Sequence, residues 1–231
     1  MLQSKLPDVI AIDGPAASGK TTLALKLAKH LGYIFFDTGV MYRAVTLAAL
    51  RDKINLNDHQ ALTELAAAVQ IDVRTPSKND GRNSDICLDG EDVTWDIRSP
   101  EVEAKVSVIS AISGVRQALT AQQRRIGQRG KVVMVGRDIG TVVLPEAELK
   151  IYLDASDEER ARRRFAEMHA RGTEENYEGI LKGMRLRDKI DASRDIAPLK
   201  AAEDAVIVNT DGLDADQVLK RVLALLDSRI E

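Results

Sequence analysis

Short apolar runs and amphipathic repeats alternate along the first fifty residues of the chain. Val9 to Ile12 is apolar and largely β-branched, which is typical of a buried strand. Lys20 to Leu31 carries leucines at helical spacing, and Gly32 follows as a candidate C-cap. Ile34 to Asp37 then predicts a second strand and Met41 to Leu50 a second helix. This alternation predicts a parallel sheet covered by helices.

The alternation changes after residue 58. Ala61 to Val69 predicts a short helix, and the segments Ile71 to Val73 and Ile86 to Gly90 flank a polar loop rich in Gly, Asn and Asp. Such a loop between alternating segments predicts an antiparallel hairpin, and therefore an insertion rather than another parallel unit. The single cysteine, Cys87, is expected to be a small apolar residue of the second segment.

The second half of the chain returns to longer elements. Glu101 to Gly127 predicts a long helical region with a break near Gly114. Lys131 to Val135 is expected to be a central parallel strand, and Lys150 to Leu153 and Ala205 to Val208 further buried strands. A terminal amphipathic helix is predicted from the apolar positions Val218, Leu219, Val222 and Leu226.

Composition narrows the class of protein. The 231 residues are 44% hydrophobic and 30% charged, which is an ordinary globular composition. One cysteine excludes a disulfide-stapled scaffold. No signal-like run and no stretch near the ~18 apolar residues of a membrane span is seen, so we expect a cytoplasmic protein without membrane attachment. A net charge of −3 gives no reason to bind a nucleic acid polymer.

Arginine is unevenly distributed and crowds into one helical segment. Its members are Arg160, Arg162, Arg163, Arg164, Arg171, Arg185, Arg187 and Arg194. The run at 160–164 is either a solvated helix face paired with neighbouring glutamates or part of a lid over the phosphates of a nucleotide. Such a cationic surplus in an acidic chain predicts a small anionic ligand.

Gly14 to Thr21 matches G-x-x-x-x-G-K-[ST] and lies between a predicted strand and a predicted helix. Gly14 and Gly19 allow the backbone to turn tightly around an anion, so that its N–H groups face phosphate oxygens. Lys20 is expected beside the β- and γ-phosphates, and the Thr21 hydroxyl is suited to bind Mg²⁺. A glycine-rich turn that only joins strand to helix is the alternative.

Motors, switches and kinases share this phosphate loop. The chain has neither the Asn-Lys-x-Asp motif of guanine-selective switches nor the Leu-Ser-Gly-Gly signature of transporters. Its length and its insertion therefore favour a small-molecule kinase. A kinase for another nucleoside monophosphate and a binding protein that uses nucleotide only as a switch are the alternatives.

Three further segments make the prediction more specific. Asp37 to Arg43, Gly136 to Val143 and Arg187 to Arg194 closely resemble the substrate-site segments of the bacterial cytidylate kinase family. With the phosphate loop and Tyr152 to Ser156, the resemblance covers nearly the whole chain in the same order. It implies ATP-dependent conversion of CMP or dCMP to the diphosphate, with Mg²⁺ and without a covalent enzyme intermediate, by a monomer.

The resemblance also implies the architecture. The expected fold class is α/β, with a P-loop NTPase-type parallel sheet flanked by helices. The core domain is expected over 1–37, 106–156 and 196–231. An inserted α+β CMP-binding domain is expected over 38–105, and a helical lid over 157–195.

The site residues are carried over from the same resemblance. The ATP side is expected to comprise Gly14, Pro15, Ala16, Ala17, Ser18, Gly19, Lys20, Thr21, Thr22 and Arg162. The CMP side is expected to comprise Thr38, Arg43, Ser107, Arg116, Arg137, Asp138, Arg187, Asp191 and Arg194. Lys20, Arg137 and Arg187 are the expected catalytic residues.

Within the CMP side the resemblance implies distinct roles. Thr38, which replaces the more usual Ser, and Arg43 match positions that hold the monophosphate substrate. Arg116, Arg137 and Arg187 match phosphate-binding positions, and Asp138 matches a position that contacts the sugar. Ser107, Asp191 and Arg194 match positions that read the cytosine edge, and Asp191 also contacts the sugar.

Three carboxylate or arginine positions allow a second interpretation. Asp138 follows a predicted strand and is alternatively a metal ligand at the carboxyl end of the sheet. Arg194 alternatively pairs with Asp191 or Asp195 on a helix face. Asp13 is expected to accept hydrogen bonds from loop amides or from a water on Mg²⁺.

The three histidines, at 30, 59 and 169, are expected at the surface.

Overall fold

The strands of the protein form two separate sheets. The computed structural model describes residues 6–170, 176–193 and 197–228. The strands in these ranges are β1 (Val9–Asp13), β2 (Ile34–Asp37), β3 (Ile71–Arg74), β4 (Asp85–Leu88), β5 (Glu91–Asp92), β6 (Val132–Val135), β7 (Leu149–Asp154) and β8 (Val206–Asn209). The larger sheet has the order β2-β6-β1-β7-β8 with every pair parallel, and β3, β4 and β5 form an antiparallel sheet.

Helices cover both faces of the larger sheet. They are α1 (Lys20–Leu31), α2 (Gly39–Arg51), α3 (His59–Ala68), α4 (Pro100–Ser110), α5 (Ser113–Gly127), α6 (Asp157–Ala170), α7 (Tyr177–Ala192) and α8 (Ala215–Asp227). A single π-helical turn, Ile139–Val143, follows β6. The expected α/β class with a helix-flanked parallel sheet is confirmed. No helix in the described ranges is long and apolar enough to cross a membrane.

Alternate residues of the central strands pack into two apolar cores. Ala11 and Met134 belong to the core that contains α2, α3 and α5. Ile10 and Ile12 belong to the opposite core, with α1 and α8. Both faces of these strands are therefore apolar, and this explains the continuous apolar runs in the sequence.

The predicted bounds of α1 and β2 are confirmed, and Gly32 ends α1 in the left-handed conformation. The antiparallel hairpin is confirmed by the pairing of Ile71 with Leu88. Cys87 is buried in β4 as a free thiol, as expected. These elements depend on local patterns that the tertiary structure does not override.

The long helical region is broken at Ala111 and Ile112, near Gly114 as predicted, and Gly114 itself lies inside α5. A Cβ at Gly114 would approach Thr63 Oγ1 to 2.3 Å, so this glycine allows α3 and α5 to pack closely. The prediction that the last strand is buried is wrong: Val208 is buried but Ile207 is 64% exposed, because β8 is an edge strand with β7 as its neighbour.

The inserted segment shares its core with the larger sheet. Phe36 and Met134 of that sheet lie in the same apolar cluster as Leu62, Ile71 and Ile86 of the insert. Ser84 Oγ also donates to the Phe35 carbonyl over 2.6 Å. The domain limits stay a prediction, and this common core ties the insert to the strand that leads into the site.

Candidate active site

The phosphate loop connects β1 to α1 and requires unusual backbone angles. Gly14 has φ +145° and Gly19 has φ +93°, in the region that favours glycine. A Cβ at Gly14 would approach the Leu153 carbonyl oxygen to 2.2 Å, so no side chain fits there. Ala17 also has a positive φ, of 58°. The loop is therefore held by its surroundings in a conformation that an isolated chain would avoid.

Lys20 begins α1 and its ammonium lies in a charged, dehydrated environment. Nζ donates to the Pro15 carbonyl over 2.5 Å. Burial, and next the charge of Arg137, lower the pKa of Lys20 from 10.5 to about 7, against the opposite effect of Asp37 and Asp13. The charge of Arg187 also lowers this pKa. An anion placed between these cations would relieve their mutual repulsion.

Asp13 connects β1 to the segment that follows β6. Its two carboxylate oxygens accept hydrogen bonds from the amides of Ile139 at 2.8 Å and Gly140 at 2.7 Å. Burial raises the pKa of Asp13 to about 6, although these two amides oppose the shift. The carboxylate thus binds loop amides, and it anchors the segment that carries Arg137 and Asp138.

Arg116 and Asp138 form a buried pair on one side of the cleft. Arg116 Nη2 donates to Asp138 Oδ2 over 3.1 Å, and both side chains are about one-tenth exposed. The Arg116 guanidinium also lies 5.6 Å from the ring centroid of Tyr42. Thr38 is buried and its hydroxyl donates to the Val135 carbonyl over 3.0 Å. These contacts bring together positions from α2, α5 and the end of β6.

Asp191 on α7 is buried and pairs with Arg137 Nε. The Asp191 carbonyl also accepts the amide of Leu199 over 2.9 Å, which fixes the chain beyond α7. Arg187 lies one turn before Asp191 and is exposed. Its charge affects the pKa values of both Lys20 and Glu103, so it faces the cleft between the core and the insert.

Sequence reasoning missed Glu103, an acidic group at the rim of the cleft. Its carboxylate pairs with Arg43 Nη1. The hydrogen bond from Arg43 is the largest cause that lowers its pKa, and Arg164 and Arg187 add to the effect. Ser107 is exposed on α4, one turn after Glu103. Glu103 and Ser107 are four positions apart on a predicted helix and therefore lie on one face. This spacing was the sequence signal that could have identified Glu103.

The adjacent residues Arg162 and Arg163 of α6 have different surroundings, and the role of Arg162 on the ATP side stays a prediction. The Arg162 side chain is 69% exposed and pairs with Glu159. Arg163 instead donates to the Thr210 hydroxyl over 3.0 Å, and its Nη1 lies 3.9 Å from the position of a Cβ on Gly19. One residue along a helix turns a side chain by about 100°, and the sequence did not decide which of two adjacent arginines faces the loop.

A cavity of about 160 Å³ lies beside the phosphate loop. Its lining includes Gly19, Thr22, Leu23, Arg163, Thr210 and Leu213.

Thr21 is exposed at the start of α1. Arg194, expected on the CMP side, lies outside the described residues. His30, His59 and His169 are exposed, as expected.

Comparison with known proteins identifies the family. The family model described as cytidylate kinase matches residues 10–228. The chain belongs to the cytidylate kinase family. The cytidylate kinase of Chloroflexus aggregans is 52% identical over 95% of this chain and 94% of its own. Cytidylate kinases of Herpetosiphon aurantiacus and Bacillus licheniformis are 49% and 45% identical, over 95% and 96% of this chain and 94% and 97% of their own.

More distant solved structures share only the fold with this cytidylate kinase family member. The shikimate kinase of Bacteroides thetaiotaomicron is 15% identical, with a TM-score of 0.50, over 94% of this chain and 97% of its own. An uncharacterised protein of Eubacterium ventriosum is 14% identical, with a TM-score of 0.51, over 96% of this chain and 99% of its own. These two likenesses show a shared fold alone.

Proposed function

We propose that the protein transfers the γ-phosphate of ATP to CMP and dCMP, with Mg²⁺, and forms the diphosphates. The observation that carries the proposal is the convergence of Lys20, Arg137 and Arg187 on one cleft, within a member of the cytidylate kinase family. Two phosphorylated substrates repel one another, and fixed cations offset that repulsion in a dehydrated site.

ATP occupies the phosphate loop and the cavity beside it. The loop amides and the Lys20 ammonium bind the β- and γ-phosphates, because this backbone conformation presents N–H groups to an anion. Arg163, rather than Arg162, supplies the lid charge nearest Gly19. The cavity of about 160 Å³ takes the part of the nucleotide that lies beyond the phosphates.

CMP occupies the opposite side of the cleft, between the core and the insert. Arg43, Arg116, Arg137 and Arg187 bind its phosphate, and guanidinium groups suit this task because they donate bidentately and stay charged. Asp138 and Asp191 bind the sugar, held in place by Arg116 and Arg137. Thr38, Ser107 and Arg194 complete the binding of phosphate and base.

Phosphoryl transfer is direct and in line. The accepting phosphate is already ionised, so catalysis rests on alignment and on positive charge at the transferring group. The Thr21 hydroxyl at the start of α1 would be the protein ligand of Mg²⁺, whose other ligands would be phosphate and water oxygens, and the ion would supply charge neutralisation. Hard oxygen donors of this kind fit Mg²⁺. A monomer in the cytoplasm is the form that we propose.

An assay of ADP release against CMP, dCMP, UMP, AMP and GMP tests the proposal. We expect CMP and dCMP to be phosphorylated far faster than the other three. Slow ATP hydrolysis without transfer would favour a nucleotide switch, and preference for another acceptor would favour a different kinase. Lys20→Ala is expected to lower turnover by about 10³-fold. Lys26→Ala is its control, because Lys26 lies on the same helix and pairs with Asp216 at the surface.

A further inference from the structure

Arg160 differs from the other arginines of α6 in being buried. Its side chain is 3% exposed, whereas those of Arg162 and Arg164 are 69% and 45% exposed and pair with glutamates of their own helix. A buried guanidinium is retained only where partners satisfy its charge and its donors. The positions of those partners therefore indicate what Arg160 does.

One guanidinium group joins four parts of the fold. Nε donates to the Ala155 carbonyl after β7 over 3.1 Å, and Nη1 donates to the Ala16 carbonyl of the phosphate loop over 3.2 Å. Nη2 pairs with Asp157 at the start of α6 and lies 2.6 Å from Asp188 Oδ2 on α7. Arg160 thus connects the phosphate loop to the helix that carries Arg187.

The contact with Ala16 acts on the most constrained part of the loop. The Ala16 carbonyl and the Ala17 N–H belong to one planar peptide and point in opposite directions. Ala17 has φ +58°, which costs a non-glycine residue about 1 kcal/mol or more. By holding the Ala16 carbonyl, Arg160 fixes the direction of the Ala17 N–H, a donor of the loop.

The contact with Asp188 acts on α7. Asp188 Oδ1 is buried without a hydrogen-bond partner among the described residues, so the ion pair with Arg160 is its principal compensation. The next residue back along α7 is Arg187, whose charge is sensed by Lys20. An apolar cluster of Ala161, Ile180, Leu181 and Met184 also packs against Ala16 and Ala17. Arg160 therefore lies where lid and loop are in contact.

We infer that Arg160 is a positioning residue that aligns the phosphate loop with α7, so that the Ala17 N–H and the Arg187 guanidinium reach the transferring phosphate together. The inference rests on the proposed function. A purely structural role would affect the free energy of unfolding alone, whereas this role affects the affinity for ATP and the turnover number of the folded enzyme.

The test compares full-length Arg160→Lys, Asp188→Asn and the double variant with the wild type. Lys retains the charge but not the fork of donors that joins Ala16 to Asp188. We expect Arg160→Lys to weaken Mg·ATP binding about tenfold in calorimetry and to lower kcat with saturating CMP at least tenfold. Asp188→Asn is expected to lower kcat about tenfold with little change in ATP affinity. In the double variant, the two losses in kcat are expected to be less than additive.

Arg185→Lys is the matched control. Arg185 also joins α7 to Asp157, but it is about half exposed, and it donates to Asp157 and Glu158. Its kcat and ATP affinity are expected to stay within twofold of wild type. Folded Arg160→Lys protein with kcat and ATP affinity within twofold of wild type would overturn the inference, even if its melting temperature fell. If wild type failed to phosphorylate CMP, the proposed function would fail, and ATP affinity in Arg160→Lys would still decide the positioning role.

Discussion

Arg137 and Asp191 form an ion pair that joins the segment after β6 to the C-terminal part of α7. Asp191 is almost completely buried, whereas about a quarter of the Arg137 side chain is exposed toward the cleft. The bond uses Nε of Arg137, and a guanidinium has further donors on its terminal nitrogens. Arg137 thus holds α7, and under the proposed function its terminal nitrogens would present charge to CMP.

Replacement of Arg137 tests its place on the acceptor side. We expect Arg137→Ala to lower kcat/KM for CMP by about 10²- to 10³-fold, because a charge that stabilises the transferring group is lost. ATP affinity, measured by calorimetry, is expected to change little. Arg51→Ala is the control, since Arg51 pairs with Glu91 and Asp96 at the surface. If Arg137→Ala mainly reduced the affinity for ATP, Arg137 would belong to the ATP side of the site.

ATP binding is expected to take up a proton through Lys20. The pKa of Lys20 is about 7 in the protein without nucleotide, so at pH 8 most of the ammonium groups are deprotonated. A bound triphosphate raises that pKa, because it places negative charge beside the amine. Calorimetry with Mg·ATP at pH 8, in buffers of different ionisation enthalpy, is expected to show uptake approaching one proton. If Lys20→Met took up as many protons on binding Mg·ATP as the wild type, the proton would not be bound by Lys20.

Asp13 is expected to give stability an unusual dependence on pH. Its pKa is raised from 3.8 to about 6, so the folded state binds this proton more tightly than the unfolded state. The contribution to the free energy of unfolding is fully present below pH 3.8 and is lost as the pH rises through about 6. A pKa shift of this size corresponds to a loss of about 3 kcal/mol in the free energy of unfolding.

Asp13→Asn removes the titrating group. Urea unfolding at pH 4 and pH 7 is expected to show that the wild type loses more stability than the variant over this interval, by up to about 3 kcal/mol. Asp52→Asn serves as the control, because the Asp52 side chain is exposed. A parallel dependence on pH in wild type and Asp13→Asn would show that this carboxyl does not titrate as stated.

Gly14 is expected to tolerate no side chain. In Gly14→Ala a Cβ would lie 2.2 Å from the Leu153 carbonyl, at a φ of +145° that alanine disfavours. We expect a loss of several kcal/mol in the free energy of unfolding and of nucleotide binding. Gly183→Ala is the matched control: Gly183 lies inside α7, and among the described residues nothing outside the backbone of that helix lies within 4 Å of a Cβ. It is expected to stabilise the protein by about 0.5–1 kcal/mol, as thermal unfolding will measure.

The sequence alone determined the features that depend on neighbouring residues. The phosphate loop, α1, β2 and the antiparallel hairpin follow from glycine positions, leucine spacing and turn composition, and each is found where it was predicted. Ordered motifs over nearly the whole chain also indicated the family that the comparisons identify. Local propensity and the pattern of apolar residues agree in these segments, so little competed with them.

Only the tertiary structure decided which charges meet. Arg43 and Glu103 pair although they lie on different helices and are 60 positions apart in the sequence. Arg137 and Asp191 pair although they are 54 positions apart. The choice of Arg163 over Arg162 at the phosphate loop depends on the rotation of α6 about its axis. The burial of Arg160 likewise depends on where α7 and the loop lie. Periodicity shows which face of a helix is apolar, but the partner of a charge depends on how distant elements pack.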